Sequence, residues 1–494
     1  MSRGQAADAV PQEAARLDDT RLPIEIALPR MDVRVLAVGS LVLYAALHVG
    51  LLLYDLLTPD AWMRADRAAE RMKHMTELLA LPSASSRLAY VFQHNIPGDY
   101  AVQALLYGIG GRMLLLSVQV ALCVLAVVCV YRIAEKVLDG PRRALLAAGV
   151  YALLPQTLVY PHQLSAEAWF SPLIVFAFYY AARWFCADRS TAAPRSGFSW
   201  ALATLTRPTP LPFALLAPLA IRSRFSRGGA VAYYAALLAP MVAWLVIVHG
   251  YSGTWTFGEG TGPNLGANLA DRVNRIIATL PPASRAAARE RYLEPASPPA
   301  SSPAGSPVWG VTLGEYLRFC GGHAGACIAY SGREAFQFFL KSGIEKITID
   351  YLPLVSAQGR HAITSAGGGW AQQVGKQGVV RAAREYLASY PLVLSISIAA
   401  MLAFTALMAF YVRGLLDAVL AMWRGPGKKA ASRTALLALL GIFPLYLFVA
   451  SSVGGGMESR HRAAAEFAIA IVAVRGWQLW RSRRAHAGLT PTYE

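Results

Sequence analysis

Charge is what this chain has least of. Only 15% of its 494 residues are Asp, Glu, Lys or Arg, against 55% hydrophobic ones, and the mean hydropathy is +0.39. A soluble protein of this length is excluded, because too few polar side chains remain to cover its surface. Acids are scarcest, with 29 Asp and Glu against 46 Lys and Arg, leaving a formal net charge of +17. Cysteine is sparse too, at five residues. Cys123, Cys129 and Cys186 lie in or beside apolar runs, where a thiol is a small apolar group. Cys320 and Cys327, in CGGHAGAC, fall in a long polar segment where they can pair with each other or, with His323, hold a metal. No cleavable leader is expected, since residues 1–33 are polar and the first apolar run is long enough to stay as an anchor. An internal repeat of the kind many secondary transporters carry is also lacking.

What the chain does have is a series of apolar runs near the length of about 20 residues that crosses a bilayer as a helix. The sequence predicts an all-α polytopic membrane protein with spans at Val35–Leu56, Met113–Tyr131, Ala144–Tyr160, Ala168–Phe185, Ala230–His249, Pro391–Tyr411, Ala435–Ser452 and Ala463–Trp480. SWALATLTRPTPLPFALLAPLAIRSRF is also apolar, but Pro208, Pro210 and Pro212 stop a straight helix. It reads as a hairpin dipping into the membrane, with Arg207 near its tip. The organisation expected is a tail (1–33), an N-terminal membrane module (34–250) containing a carboxylate-rich first outer loop (57–110) and the Pro-rich hairpin (198–222), an outer segment (251–386), C-terminal membrane helices (387–482) and a second tail (483–494).

The net charge is not a nucleic-acid signal. Arg132, Lys136, Arg142, Arg143, Arg183, Arg189, Arg195, Arg222, Arg224, Arg413, Arg424 and Arg433 fall in short loops of one side, which the positive-inside rule makes cytoplasmic. The opposite side collects acids: Asp60 and Asp66 after the first span, Asp99 in IPGDY, and Glu167 in PHQLSAEAW, five residues after His162. It also holds Arg460, His461 and Arg462, against the charge rule. Paired guanidiniums at an outer membrane edge suit a phosphate ligand. Acids at the same depth suit an acceptor hydroxyl that must lose its proton as it attacks. A glycosyl phosphate leaves as a weakly basic anion, so arginines suffice on that side. Together these point to sugar transfer from a lipid phosphate.

The arrangement resembles the membrane-embedded GT-C glycosyltransferases, the superfamily of protein O-mannosyltransferases and the aminoarabinose transferases of lipid A. The resemblance rests on PDAWMRADRAAERM, LSAEAWFSPLIVFAFYYAARW, LATLTRPTPL and ESRHRAAAEFAIAIVA, in that order, and covers most of residues 35–250 and 430–480. It implies a GT-C-like helical bundle with a periplasmic active site, in a bacterial inner membrane, transferring a hexose or pentose with inversion from an undecaprenyl-type phosphate donor. The acceptor would be a glycan, lipid or protein hydroxyl. Asp60 would be the base, with Asp66 and Asp99 as alternatives. His162, Glu167, Arg207, Arg460, His461 and Arg462 would bind substrate, and a divalent cation, Mg or Mn, would sit on Asp60 and Glu167 if one is used. The usual Asp-Glu pair of the mannosyltransferases is absent after the first span, and His461 stands where an aromatic is common. Two other readings compete: an oligosaccharide polymerase or ligase using a diphosphate-linked glycan, and a lipid or solute transporter whose buried charges form a path.

Overall fold

The computed structural model describes residues 32–58, 68–94, 97–187, 190–219, 227–253, 261–293, 311–341, 391–424, 428–453 and 459–486, with single positions 63, 255, 257, 343, 344, 347, 381 and 384. Among these the chain is helical throughout, with no strand. Five helices are long and apolar enough to cross a membrane, or six if one bent pair counts as a span. The protein is therefore a multi-pass membrane protein.

The first helix, α1 (Val33–Leu57), is followed by two short amphipathic helices, α2 (Ala68–Ala80) and α3 (Ala84–His94), inside the stretch expected as the first outer loop. α4 (Pro97–Val137) is longer than the span expected and bends at Gly110–Gly111, where Gly111 has φ 62. α5 (Pro141–Leu153) and α6 (Pro155–Val159) form the bent pair, 64° apart, because Pro155 holds Leu154 in an extended conformation. A 3-10 turn, Tyr160–His162, leads to α7 (Glu167–Ala187).

The Pro-rich hairpin resolves into α8 (Ala192–Thr206) and α9 (Leu211–Leu216). Arg207, extended at φ −151 and ψ 127 in front of Pro208, ends α8. The irregular backbone is covered by protein, as its depth requires: Tyr446 donates to the Thr209 carbonyl, and Tyr233 to that of Ala214 at 2.7 Å. α10 (Arg227–Ser252) then runs to a separate small cluster built from α11 (Thr261–Ile277), α12 (Pro282–Tyr292), α13 (Leu313–Gly322) and α14 (Ala324–Phe339), with Phe319 at its centre. All five cysteines, Cys320 and Cys327 included, are unbonded thiols.

α15 (Pro391–Trp423), α16 (Lys428–Val453), a 3-10 segment (Ser459–Ala465) and α17 (Glu466–His486) complete the bundle. Of the eight crossings expected from the sequence, those at α7 and α17 fall outside the helices that pass as membrane spans. Both are interior helices: α7 is enclosed on most faces, and residues 463–474 are buried without a break. Their surroundings are protein, so they tolerate Glu167, Glu466 and Arg475. α15 and α17 touch backbone to backbone. A Cβ on Gly476 would lie 1.8 Å from the Phe410 carbonyl, and one on Gly414 2.1 Å from that of Val472. Small residues of this kind let membrane helices approach closely. Gly476→Ala is expected to wedge the pair apart at a cost of about 1–3 kcal/mol, measured as a lower Tm of the detergent-purified protein.

Two ends of the bundle differ in character. Arg132, Arg183, Arg195, Arg227 and Arg433 lie at one, where Asp139 approaches Arg433 at 3.9 Å and Arg475 at 3.6 Å. At the other, the start of α7 meets the end of α8. Between them lies an aromatic layer: Phe178 contacts Trp200, Phe213, Phe443 and Phe467 with ring centroids 5.1–6.0 Å apart.

Candidate functional site

The site is built at the end where α7 begins. Glu167, 5% exposed, receives Arg207 Nη2 at 2.6 Å, and the guanidinium also lies over the Phe170 ring at 5.6 Å. The two residues are 40 apart in sequence. They meet because α7 and α8 pack as an antiparallel pair and Pro208 ends α8 level with the first turn of α7. Arg207 retains 23% exposure, so part of its fork faces open space.

α4 closes the third side. A Cβ on Gly98 would lie 2.6 Å from the Leu205 carbonyl and 2.7 Å from Thr206 Oγ1, so only glycine permits this approach. It brings the start of α4 against the last turn of α8, next to Arg207 in the chain. One turn further on, Gln103, fully buried, donates to the Ser165 carbonyl at 3.1 Å and ties α4 to the loop leading into α7. A small cavity of about 20 Å³, room for a single water, opens next to Glu167, lined by Tyr151, Gln156, Tyr160, Ser171 and Ala463 among others. Among the described residues, the Ser171 hydroxyl there has no hydrogen-bond partner.

An acid and a histidine that sequence reasoning did not single out complete the arrangement. Asp55, near the end of α1, places Oδ2 2.8 Å from His162 Nδ1, and His162 Nε2 lies 2.8 Å from His48 Nδ1. All three side chains are 0% exposed, and the two imidazoles are stacked. If His162 donates from Nδ1 to the carboxylate, its Nε2 accepts from His48, so a single choice of tautomer satisfies both contacts. Among the described residues, Asp55 Oδ1 and His48 Nε2 have no hydrogen-bond partner. A carboxylate with one oxygen held by an imidazole N–H and the other unengaged is oriented and retains acceptor capacity.

Of the residues expected in the site, Asp60 and Asp66 lie outside the described residues, as do the side chains of Asp99 and Arg460. His461 is half-buried. Arg462 has a different setting from the open phosphate contact expected. It is 0% exposed, with Nε 3.2 Å from Glu466 Oε1, and Nη1 donates to the Lys341 carbonyl at 2.8 Å and to that of Phe338. Its guanidinium carbon lies 4.2 Å from the centre of the Phe404 ring. These partners join the 3-10 segment, α14, α15 and α17. Arg272 plays a similar part above, 2.7 Å from Glu334 and 2.7 Å from the Tyr316 hydroxyl, and donating to the Ser452 carbonyl. Burial raises the Glu334 carboxyl above its ordinary range, and Arg272 draws it partly back. Among the described residues, no three His, Cys, Asp or Glu converge as a metal site. Glu167, named for a cation together with Asp60, is occupied by Arg207.

Every buried acid, arginine and histidine among the described residues belongs to this half of the molecule: His48, Asp55, His162, Glu167, Arg272, Glu334, Arg462 and Glu466. The aromatic layer separates them from the arginine-rich end.

No protein-family model matches the sequence, and no curated protein matches it either. Among solved structures, the chain is similar to two of oligosaccharyltransferases from Archaeoglobus fulgidus. One is AglB in complex with an inhibitory peptide and a dolichol-phosphate, at 13% identity and TM-score 0.40. The other is an apo crystal structure, at 16% identity and TM-score 0.37. The match covers 93% of this chain in both cases but only 52% and 53% of those chains, so this chain spans about half the length of the structures it matches. A likeness this loose establishes neither family nor activity.

Proposed function

We propose that this half of the bundle transfers a sugar, with inversion, from a polyprenyl-phosphate donor to an acceptor hydroxyl on the extracytoplasmic side of the membrane, as a GT-C-type glycosyltransferase does. The observation that carries this reading is the one-sidedness of the buried charge. A transporter needs polar groups along a path from face to face. Here, among the described residues, the buried acids, arginines and histidines gather at one end and stop at the layer of Phe178, Trp200, Phe213 and Phe443. That geometry suits chemistry on a substrate admitted from one side.

In this reading Asp55 takes the position given to Asp60 from sequence. Its free Oδ1 accepts the proton that the acceptor hydroxyl loses as it attacks the anomeric carbon, while His162 holds Oδ2 in place. The sugar–phosphate bond breaks as the new glycosidic bond forms on the opposite face, and the charge left on the phosphate is met by the exposed part of Arg207. Glu167 holds that guanidinium in its orientation and limits how far it can swing. Asp55 is closed to solvent in this structure, so the acceptor reaches it only once the rim opens above α1.

The test uses the full chain in liposomes supplied with polyprenyl-phosphate sugars and, in parallel, diphosphate-linked glycans. Turnover of the monophosphate donors is expected, and Arg207→Ala should lower it roughly 10²–10³-fold, the usual effect of losing one donor to a developing charge. Turnover of diphosphate-linked glycans alone would favour the polymerase or ligase reading. No turnover of either, together with solute flux across the membrane, would overturn the assignment.

A further inference from the structure

On the arginine-rich half, α4, α7, α8 and α10 leave between them a groove of about 870 Å³ that takes no part in the chemistry above. Its deep end is apolar, formed by Leu125, Leu173, Phe176 and Leu202, and its mouth carries Arg132, Arg183 and Arg195. From Arg183 back to Leu173 is ten residues of helix, a length of about 15 Å. That is half of a hydrocarbon core of roughly 30 Å, the depth of one leaflet.

The arginines at the mouth are arranged in an unusual way for a membrane edge. Tyr179 and Tyr180 stand side by side with ring centroids 5.1 Å apart. Arg183 lies over the first at 5.6 Å, and Arg195 over the second at 6.0 Å. Arg183 Nη1 also donates to the Tyr179 hydroxyl at 3.4 Å, and a guanidinium held against a tyrosine in this way keeps its other N–H groups for a planar or tetrahedral anion. Arg132 is 3.2 Å from Glu135, but among the described residues neither Arg183 nor Arg195 forms an ion pair with a carboxylate. Among the described residues, two cations without a carboxylate partner thus stand at the open end of an apolar slot one leaflet deep.

We propose that this groove binds an anionic glycerophospholipid of the leaflet on the arginine-rich side, with an acyl chain along α7 and the phosphate between Arg183 and Arg195. A soluble phosphate would leave the apolar slot empty. A zwitterionic lipid would fill the slot and leave the two positive charges uncompensated. The site is independent of the transferase reading, since the phosphate would sit beside Arg183 and Arg195, on the far side of Phe178 and Trp200 from Glu167, and only the end of the acyl chain, at Leu173 and Leu202, reaches past that level.

The test is competition followed by native mass spectrometry of the full chain in detergent, with equal amounts of palmitoyl-oleoyl phosphatidylglycerol and phosphatidylcholine. Two guanidiniums at a membrane surface predict a preference for phosphatidylglycerol of roughly thirtyfold. Arg183→Gln with Arg195→Gln should bring the two lipids to parity, and the double change to Lys at the same positions should keep most of the preference. Parity in the wild-type protein would overturn the proposal, as would a Gln pair that retains the preference or displacement of the lipid by soluble glycerol phosphate. If the Gln pair yields no folded protein, the wild-type competition and the Lys pair decide.

Discussion

Asp55→Asn is expected to abolish most sugar transfer while leaving the donor bound. Asparagine keeps the shape of the side chain and can still accept from His162, so α1 should stay seated, yet it cannot take the acceptor's proton. Loss of a general base lowers turnover by about 10²–10⁴-fold. The measurement is single-turnover transfer in liposomes next to equilibrium binding of the same polyprenyl-phosphate donor, and binding should change little. If Asp55→Asn stays within about tenfold of wild type, short of even the weakest losses of a base, the role moves to Asp99, which follows the Gly98 that packs against Leu205 and Thr206. His162→Asn gives the complementary result: activity falls because the carboxylate loses its orientation, even though the base itself remains.

The largest loss of stability is expected from Arg462→Ala. This substitution leaves Glu466 buried at 0% exposure without its cation, and it removes the donor shared by the Phe338 and Lys341 carbonyls. Removing one partner of a buried ion pair costs about 3–5 kcal/mol, a large fraction of the roughly 5–15 kcal/mol by which most domains are stable. Thermal melts followed by size-exclusion profile should show a strongly lowered Tm or no monodisperse protein. A second change, Glu466→Gln in the same chain, should recover part of the loss because no unpaired charge remains. If Arg462→Ala instead proves stable and merely loses donor affinity, Arg462 is a ligand of the phosphate and not a tie between helices.

How much of this was legible in the sequence differs from residue to residue. Glu167 and Arg207 were legible because each breaks a pattern: a carboxylate at the head of an apolar run, and a cation in a proline-rich turn. Their 2.6 Å contact was not, since it depends on two helices of unequal length ending at one level. Asp55 went unseen because a lone acid one residue before the end of a span reads as part of the span, while Asp60, after Pro59, stood out. A signal did exist. Tyr44, His48 and Asp55 are spaced by four and seven residues, which puts them on one face of a helix, and they are the only buried side chains of α1 among those described. Arg462 was legible as a misplaced cation, but its partners are carbonyls 121 and 124 residues away, and no local spacing encodes those. The span lengths of α4 and α15 were underestimated because α4 already begins at Pro97, ahead of its bend at Gly110–Gly111, and α15 runs on past Arg413 to Trp423.

That narrow polar face of α1 bears on how the protein is made. α1 leaves the ribosome and enters lipid before its partner histidine exists, since His162 follows Asp55 by 107 residues. Until the turn that carries His162 arrives, a carboxylate held in hydrocarbon costs roughly 2.5–3.5 kcal/mol. The nascent helix is thus biased to recruit that turn, or to slip back toward water if it never comes. With Asp55 as the base proposed above, biogenesis and chemistry would depend on one hydrogen bond: a chain whose first helix has failed to dock would also lack an oriented acid, so misassembled copies would be inert.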